Sequence, residues 1–346
     1  MFPSSSEEFE DDDEDDDEDE GSNMGDTIEL VVDDTYQGIV EFLAMSLPTL
    51  PLSRIRRLVA HGHATVEGRR VDHLCVPQVG QRVVLSLPDA PFVRYEPKKL
   101  DFEVLYEDEH VLAIDKPAGV AVIPGAGTLE ATLINGLLWH VQHESPSPCR
   151  RVYVIHRLDK NTTGVLLVGK DVETARHLSA CFEERRVAKH YLAVVRGEMP
   201  PGEGEVDLPI ASSATRGRMR VRGGEGRPAQ SRYRVVECFR GYTLVDVQPH
   251  TGRQHQVRVH LASLGHPLAV DPLYGGADAV HLSEIKPGYR RKADRPEAPL
   301  MARLTLHAHR VEVTLADGSP LAVEAPLPAD FERLLRSLRK YRVKRL

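Results

Sequence analysis

The sequence predicts an α+β fold with a mostly antiparallel mixed sheet and a few flanking helices, preceded by a small separate module. Three observations carry this. From Phe102 onward, short apolar runs follow one another in quick succession, separated by Gly, Pro and Asp/Asn turn signals, which is the pattern of strands. Only two stretches of that region carry strong helical periodicity, too few for alternating strand and helix. Ahead of it, residues 37–60 read instead as a pair of short helices.

Taken in order, the chain opens on an acidic run: 13 of the fourteen residues Glu7 to Glu20 are Asp or Glu, interrupted only by Phe9. Such a segment has almost nothing to offset ordering entropy and repels itself, so residues 1–26 are expected to be a disordered tail. A solubilising role and an acidic mimic of RNA both suit it. The whole chain has 346 residues, 52 acids and 44 bases, for a net charge of −8. Without residues 1–26, which hold 14 acids and no base, 38 acids face 44 bases and the body is mildly basic at +6. A basic body is compatible with a polyanionic partner. Four scattered cysteines, Cys75, Cys149, Cys181 and Cys238, give neither a disulfide framework nor zinc-finger spacing. No apolar run approaches the roughly 18 residues of a membrane span, and the acidic start is unlike a secretory signal, so a soluble cytoplasmic protein is expected.

The module is expected over residues 27–90. Ile39, Val40, Leu43 and Leu47, then Ile55, Leu58 and Val59, recur at helical spacing, broken at Pro48 and Pro51. The second helix is expected to start at the N-cap Ser53 and stop at Gly62, and Val79 to Leu87 alternates as a strand. Arg54, Arg56 and Arg57, with Arg69 and Arg70 beyond a Glu67-Gly68 turn, make a compact basic face that suits either a solvated helix or an RNA contact. Pro88 to Pro97 reads as a linker, residues 91–336 as the main domain and 337–346 as a basic tail.

In the main domain, strands are expected at Val111 to Ile114, Val152 to Ile155, Val165 to Val168, Tyr191 to Val195, Arg232 to Val236, Thr243 to Val247 and Arg310 to Val313. One helix is expected from the N-cap Asp171 over Val172 to Glu184, with Ala175, Leu178 and Phe182 on one face. The other is expected over 252–264, opened by a Thr251-x-x-Gln254 capping box. On it His255 and Arg258 lie opposite the apolar Val257 and Leu261, which points Arg258 away from the core unless it faces a cleft. His255 and His260 are about 140° apart around such a helix, which argues against a shared metal.

Residues 156–164, His-Arg-Leu-Asp-Lys-Asn-Thr-Thr-Gly, join two strands, so their polar side chains sit on a loop held at both ends, where catalytic groups are often found. Arg157 and Lys160 favour an ionised Asp159, which suits a nucleophile, a base or a structural ion pair.

These residues carry a resemblance. His156-Arg157-Leu158-Asp159-x-x-Thr162-Thr163-Gly164, then Lys189-x-Tyr191-x-Ala193-x-Val195-x-Gly197, then Thr251-Gly252-Arg253-x-His255-Gln256-Val257-Arg258-Val259-His260 are similar to the ordered motifs of the RluA-type pseudouridine synthases. Tyr106-Glu107-Asp108, Asp115-Lys116-Pro117-Ala118-Gly119, Gly265-His266-Pro267, Asp271, Tyr274-Gly275, Arg303 and Leu306-His307-Ala308 extend the match. The first module, through Ser53-Arg54, Gly62, Val66, Gly68 and Gly80, resembles the alpha-L RNA-binding domain, although Gln37-Gly38-Ile39 replaces the usual Arg-Leu-Asp.

The resemblance implies a pseudouridine synthase fold behind an alpha-L domain, and an RNA isomerase: uracil is detached at N1, rotated and rejoined through C5, with neither metal nor cofactor. Asp159 matches the catalytic aspartate, which either adds to C1′ or takes the C2′ proton. Arg258 matches its arginine partner, and Tyr191 the tyrosine that stacks on the base; read from the strand alone, Tyr191 is equally a core residue. Arg157 matches the residue that fills the place of the flipped-out uridine, consistent with guanidinium stacking. Arg253 and His255 suit capping, local hydrogen bonds or phosphate contact, and Arg54, Arg56 and Arg57 suit RNA binding. An RNA-binding module ahead of the catalytic domain resembles the large-subunit ribosomal RNA members of the family, which favours rRNA over tRNA as substrate; a monomer is expected. Two rivals stand beside this: a non-catalytic assembly factor with the same fold, and a glycoside hydrolase needing a second carboxylate, for which Asp115 and Asp271 are candidates.

Overall fold

The computed structural model describes residues 26–343, apart from 49, 51, 88–94, 125–131, 150, 214, 216, 225 and 291–295. The expected tail over 1–25 and most of the expected linker lie outside the described residues. Those that are described fall into two compact units, one holding residues 26–42 and 52–87, the other 43–50 and 95–343.

The first unit contains β1 (Asp26–Val31), the start of α1 (Ile39–Ser46), α2 (Leu52–Ala60), β2 (Ala64–Val66), β3 (Arg69–Arg70) and β4 (Arg82–Leu87). Its antiparallel sheet has the order β1-β4-β2-β3. Ile55, Leu58 and Val59 of α2 are buried, and so are Val83, Leu85 and Leu87 of β4, the alternation that the sequence carries. Three boundaries differ from expectation. Asp26 opens β1 rather than closing a tail, α2 starts one residue before Ser53, and β4 starts at Arg82 because Gly80 holds a positive φ of 87° in the preceding turn.

The second unit runs β5 (Glu103–Glu107), β6 (Val111–Lys116), α3 (Leu133–His143), β7 (Tyr153–Val154), β8 (Thr163–Gly169), α4 (Val172–Glu183), β9 (Ala188–Arg196), β10 (Glu203–Asp207), β11 (Ile210–Ser212), β12 (Met219–Val221), β13 (Gln230–Phe239), β14 (Tyr242–Pro249), α5 (Gln256–Ser263), α6 (Leu282–Ile285), β15 (Leu306–Thr314), β16 (Pro320–Glu324) and α7 (Ala329–Tyr341). Ten strands form one sheet, β10-β13-β14-β9-β15-β8-β6-β5, with β16 on β15 and β7 on β8. Only β15 and β8 pair in parallel. Strands β11 and β12 form a separate hairpin.

Both sheet faces are covered. Val165 and Leu167 of β8 pack with Leu178 and Cys181 of α4, whereas Leu166 and Val168 pack with Leu133, Leu137 and Val141 of α3. That explains the unbroken apolar run Val-Leu-Leu-Val, since a strand buried on both faces has no polar alternation. Likewise Ala193 and Val195 of β9 pack with Val257 and Leu261 of α5, and Val194 with Leu334, Leu335 and Leu338 of α7.

Helix α7 corrects the expected basic tail at 337–346. Its Arg and Lys residues disguise an apolar stripe, Phe331, Leu334, Leu335 and Leu338, at i, i+3, i+4 and i+7, all at most 2% exposed. Each such burial contributes on the order of 2 kcal/mol, enough to hold the helix to Tyr341. Helix α3 was also absent from expectation, because Gly136 interrupts its pattern; a Cβ there would lie 2.7 Å from Leu100 Cβ, so the glycine admits a close approach.

The register places four motif residues in one row across the sheet. Tyr191 (β9) is opposite Ala308 (β15), Ala308 is opposite Gly164 (β8), and Gly164 is opposite Lys116 (β6). Gly164 has φ 115°, and a Cβ on it would lie 2.1 Å from the Ala308 carbonyl oxygen. Gly164→Ala is therefore expected to cost roughly 3 kcal/mol or more; urea unfolding with an unchanged midpoint would contradict this.

Candidate active site

Residues 155–162 connect β7 to β8, and the sequence pins them from several sides. Leu158 is buried in the α3 side of the core and anchors the loop next to Asp159. His156 Nε2 accepts the Leu167 N–H at 2.9 Å and its ring stacks on Phe182 at 4.6 Å. Lys116, fully buried at the end of β6, donates its three ammonium hydrogens to the carbonyls of Pro117 (2.7 Å), Lys160 (3.1 Å) and Thr162 (3.0 Å). Burial lowers its pKa to about 8. The loop thus hangs on a lysine that the sequence matched to a motif without giving it a task. Its signal was a cation closing a run of apolar strand residues, where a lysine is seldom buried without partners.

The opposite wall is the segment leading into α5. The expected capping box at Thr251-x-x-Gln254 is absent: the helix starts at Gln256, and Gln256 Oε1 accepts from Thr251 Oγ1 at 2.6 Å and from the Arg253 N–H at 3.0 Å. Gln256 Nε2 donates to Gln230 O and Ser231 Oγ, which ties the turn to β13. His255 occupies the N-cap in a left-handed conformation, φ 56°.

Between these walls lies a cleft of about 690 Å³ whose lining includes Arg157, Asp159, Lys189, Tyr191, Arg253, His255 and Arg258. Arg258 is 6% exposed and faces this cleft from within the protein. Its NH1 donates to Asp159 Oδ2 at 2.9 Å, while Nε and NH2 donate to Asp271 Oδ2 and Oδ1 at 2.8 and 2.9 Å. A planar fork held along two of its edges fixes the guanidinium, and through it the Asp159 carboxylate. The order Asp271, Arg258, Asp159 therefore runs from full burial to a carboxylate whose side chain is 22% exposed in the cleft.

Tyr191 rises from β9 beside this pair, and burial, reinforced by the Asp159 charge, pushes its phenol pKa well above the ordinary value. The phenol is thereby held neutral and hydrogen-bearing, and its ring lies between two apolar clusters. Burial lowers Lys189 to about 8 and lowers His255 below the ordinary imidazole value. Arg157 is exposed on the cleft wall two residues from Asp159. Arg253 is half-buried and donates through Nε to Pro228 O at 3.1 Å. The cleft lining carries Arg157, Arg185, Lys189, Arg253 and Arg258 against Asp159 and Glu183, a surplus that suits a polyanion.

Not every expected residue joins this site. Arg54, Arg56 and Arg57 stand on α2 of the first unit, the latter two exposed. Asp271 is fully buried against Arg258 and Asp115 lies outside the cleft lining, so neither is placed as the second carboxylate of a glycoside hydrolase. Among the described residues no group of three His, Cys, Asp or Glu is arranged to hold a metal ion, and no helix is long and apolar enough to cross a membrane.

The imidazoles that brace the site give it an acid limit. His307, fully buried on β15, accepts from Thr163 Oγ1 at Nδ1 and donates from Nε2 to Ala325 O; burial lowers its pKa to about 4, and that of His156 to about 3. An unfolded histidine takes up its proton near 6.5, so the unfolded chain binds more protons below that pH. The stability held by the two neutral rings is complete above about 6.5 and is lost as the pH falls towards 4 and 3, roughly 2 kcal/mol for each at pH 5. Urea midpoints at pH 7.5 and 5 should differ accordingly; equal midpoints would contradict it.

Residues 110–263 match the family model described as RNA pseudouridylate synthase. The chain is 37% identical over 323 residues to ribosomal large subunit pseudouridine synthase D of Nitrosomonas europaea, covering 90% of this chain and 88% of that one. It is 35% identical to the protein of the same name from Pseudomonas aeruginosa, covering 88% and 93%. Among solved structures it is similar to human RNA pseudouridylate synthase domain containing 4, with a TM-score of 0.52, 25% identity, and coverage of 68% and 93%.

Proposed function

Since the chain belongs to the RNA pseudouridine synthase family, we propose that it isomerises uridines of large-subunit ribosomal RNA, with Asp159 as the reacting carboxylate. The observation that carries the assignment is the chain Asp271, Arg258, Asp159, which holds one carboxylate oriented and open to the cleft. Either route to breaking the glycosidic bond, addition of Asp159 to C1′ or removal of the C2′ proton, starts from that ionised oxygen. With Oδ2 bound by Arg258, Oδ1 is the oxygen left for the ribose.

Tyr191 offers the flipped uracil an aromatic face, and its raised pKa suits stacking rather than proton removal in the free enzyme. Arg157, exposed beside Asp159, is suited to fill the stack that the uridine leaves. The basic face of Arg54, Arg56 and Arg57 in the first unit suits RNA, with Arg253 and His255 at the cleft edge as further contacts. The reaction needs neither metal nor cofactor, and we read the protein as a cytoplasmic monomer.

Tritium release from C5-labelled uridine in large-subunit rRNA fragments and, separately, in tRNA tests this reading. Release from rRNA is expected; release from tRNA alone would overturn the substrate, and no release from either, with binding intact, would favour an assembly factor.

A further inference from the structure

Tyr274 sits between the β11–β12 hairpin and the catalytic cleft, 8% exposed. Its hydroxyl oxygen accepts the Met219 N–H at 2.8 Å and lies 2.9 Å from His255 Nδ1. A phenol oxygen already accepting from the backbone still has its own hydrogen to place, and Nδ1 lies within hydrogen-bond distance to take it. If the hydroxyl donates to Nδ1, a neutral imidazole carries its single hydrogen on Nε2. That nitrogen lies 3.9 Å from Asp159 Oδ1, the oxygen that Arg258 leaves free.

Two further observations fit a ring held for a purpose. His255 keeps a left-handed backbone, φ 56° and ψ 18°, a conformation that a non-glycine residue retains only where its surroundings impose it. The Tyr274 ring has the guanidinium carbons of Arg258 at 5.0 Å and Arg218 at 5.6 Å from its centre, and meets the His255 ring edge-on at 5.7 Å. The charged groups that face His255 are Asp159 and Arg157 on the catalytic loop, Arg258 on its own helix, and Asp271 in the turn before Tyr274; burial outweighs them and favours the neutral ring.

We propose that His255 is a positioning residue for Asp159, locked by Tyr274 and the Met219 backbone in the tautomer that points its Nε2–H at the carboxylate oxygen left free by Arg258. Its gap of 3.9 Å is too long for a hydrogen bond in the free protein. A small movement of either side chain when RNA enters closes it, so the donor acts on the reacting oxygen while Arg258 keeps the other. The proposal rests on Asp159 being the reacting carboxylate, and its test separates the two.

Nitrogen-15 histidine NMR of the full chain at pH 7 reads the tautomer directly, with the spectrum of His255→Gln assigning His255 among the 16 histidines. The wild type should show hydrogen on Nε2, and Tyr274→Phe a mixture of tautomers. In single-turnover conversion of an rRNA fragment, Tyr274→Phe should be slowed roughly 10-fold and His255→Leu roughly 100-fold. RNA affinity should stay within about two-fold in Tyr274→Phe and fall by far less than the rate in His255→Leu, where a contact at the cleft edge is lost as well. His255→Gln, whose amide can still donate, should recover most of the rate lost in His255→Leu. Hydrogen on Nδ1 in the wild type, or a Tyr274→Phe variant with unchanged tautomer and rate, would overturn the proposal. An Asp159→Asn variant with full activity would overturn the Asp159 assignment instead, and the tautomer would still decide the His255 geometry.

Discussion

Replacing Asp159 by asparagine should slow isomerisation by roughly 10⁴-fold or more, the scale at which removal of a reacting group is felt, while RNA affinity changes by no more than a few-fold. The asymmetry follows from how the loop is held. Its supports are the ammonium of Lys116, the stacked His156 and the buried Leu158, none of which uses the Asp159 carboxylate. The Asp159 carbonyl still accepts the Thr162 N–H in the variant. Arg258 is not stranded either, because both its Nε and NH2 remain on Asp271. What disappears is the negative charge facing the cleft. Tritium release and filter binding on the same RNA measure the two quantities, and a parallel loss of affinity and rate would make Asp159 a structural residue.

How much of this was legible in the sequence depends on the range of the interaction. Strand β8 and helix α4 were readable because local pattern determines them: an apolar run between turns, and Asp171 accepting the Thr174 N–H as an N-cap. The motif residues Asp159, Tyr191 and Arg258 were legible as a set, and the register explains why residues so far apart in sequence meet, since Tyr191, Gly164 and Lys116 share one row across four strands. Helix α7 was hidden by the arginines between its leucines, and α5 starts late because Gln256, tied to β13 through its amide nitrogen, takes the Thr251 hydroxyl and the Arg253 N–H in place of Gln254. Such side-chain ties to a distant strand leave no periodic trace. The same holds for Asp271, which the sequence matches to a motif and offers as a possible second carboxylate, while its burial beside Arg258 is visible only in the structure.

That burial makes Arg258 the residue where stability and chemistry can be separated. In Arg258→Met the Asp271 carboxylate, fully buried, keeps only the Leu273 N–H at 3.1 Å among the described residues, and an uncompensated buried charge of this kind costs about 3–5 kcal/mol. Adding Asp271→Asn removes the charge while leaving an oxygen for Leu273, so the double variant should regain most of that loss. Asp159 gains nothing from the second change: it still lacks the cation that orients it, and isomerisation should stay roughly 10²-fold or more below wild type in both variants. Urea unfolding and single-turnover kinetics, read together, distinguish the outcomes. Recovery of rate along with stability would mean that Arg258 serves the fold alone, whereas recovery of stability without rate is what a guanidinium shared between a buried anchor and a reacting carboxylate requires.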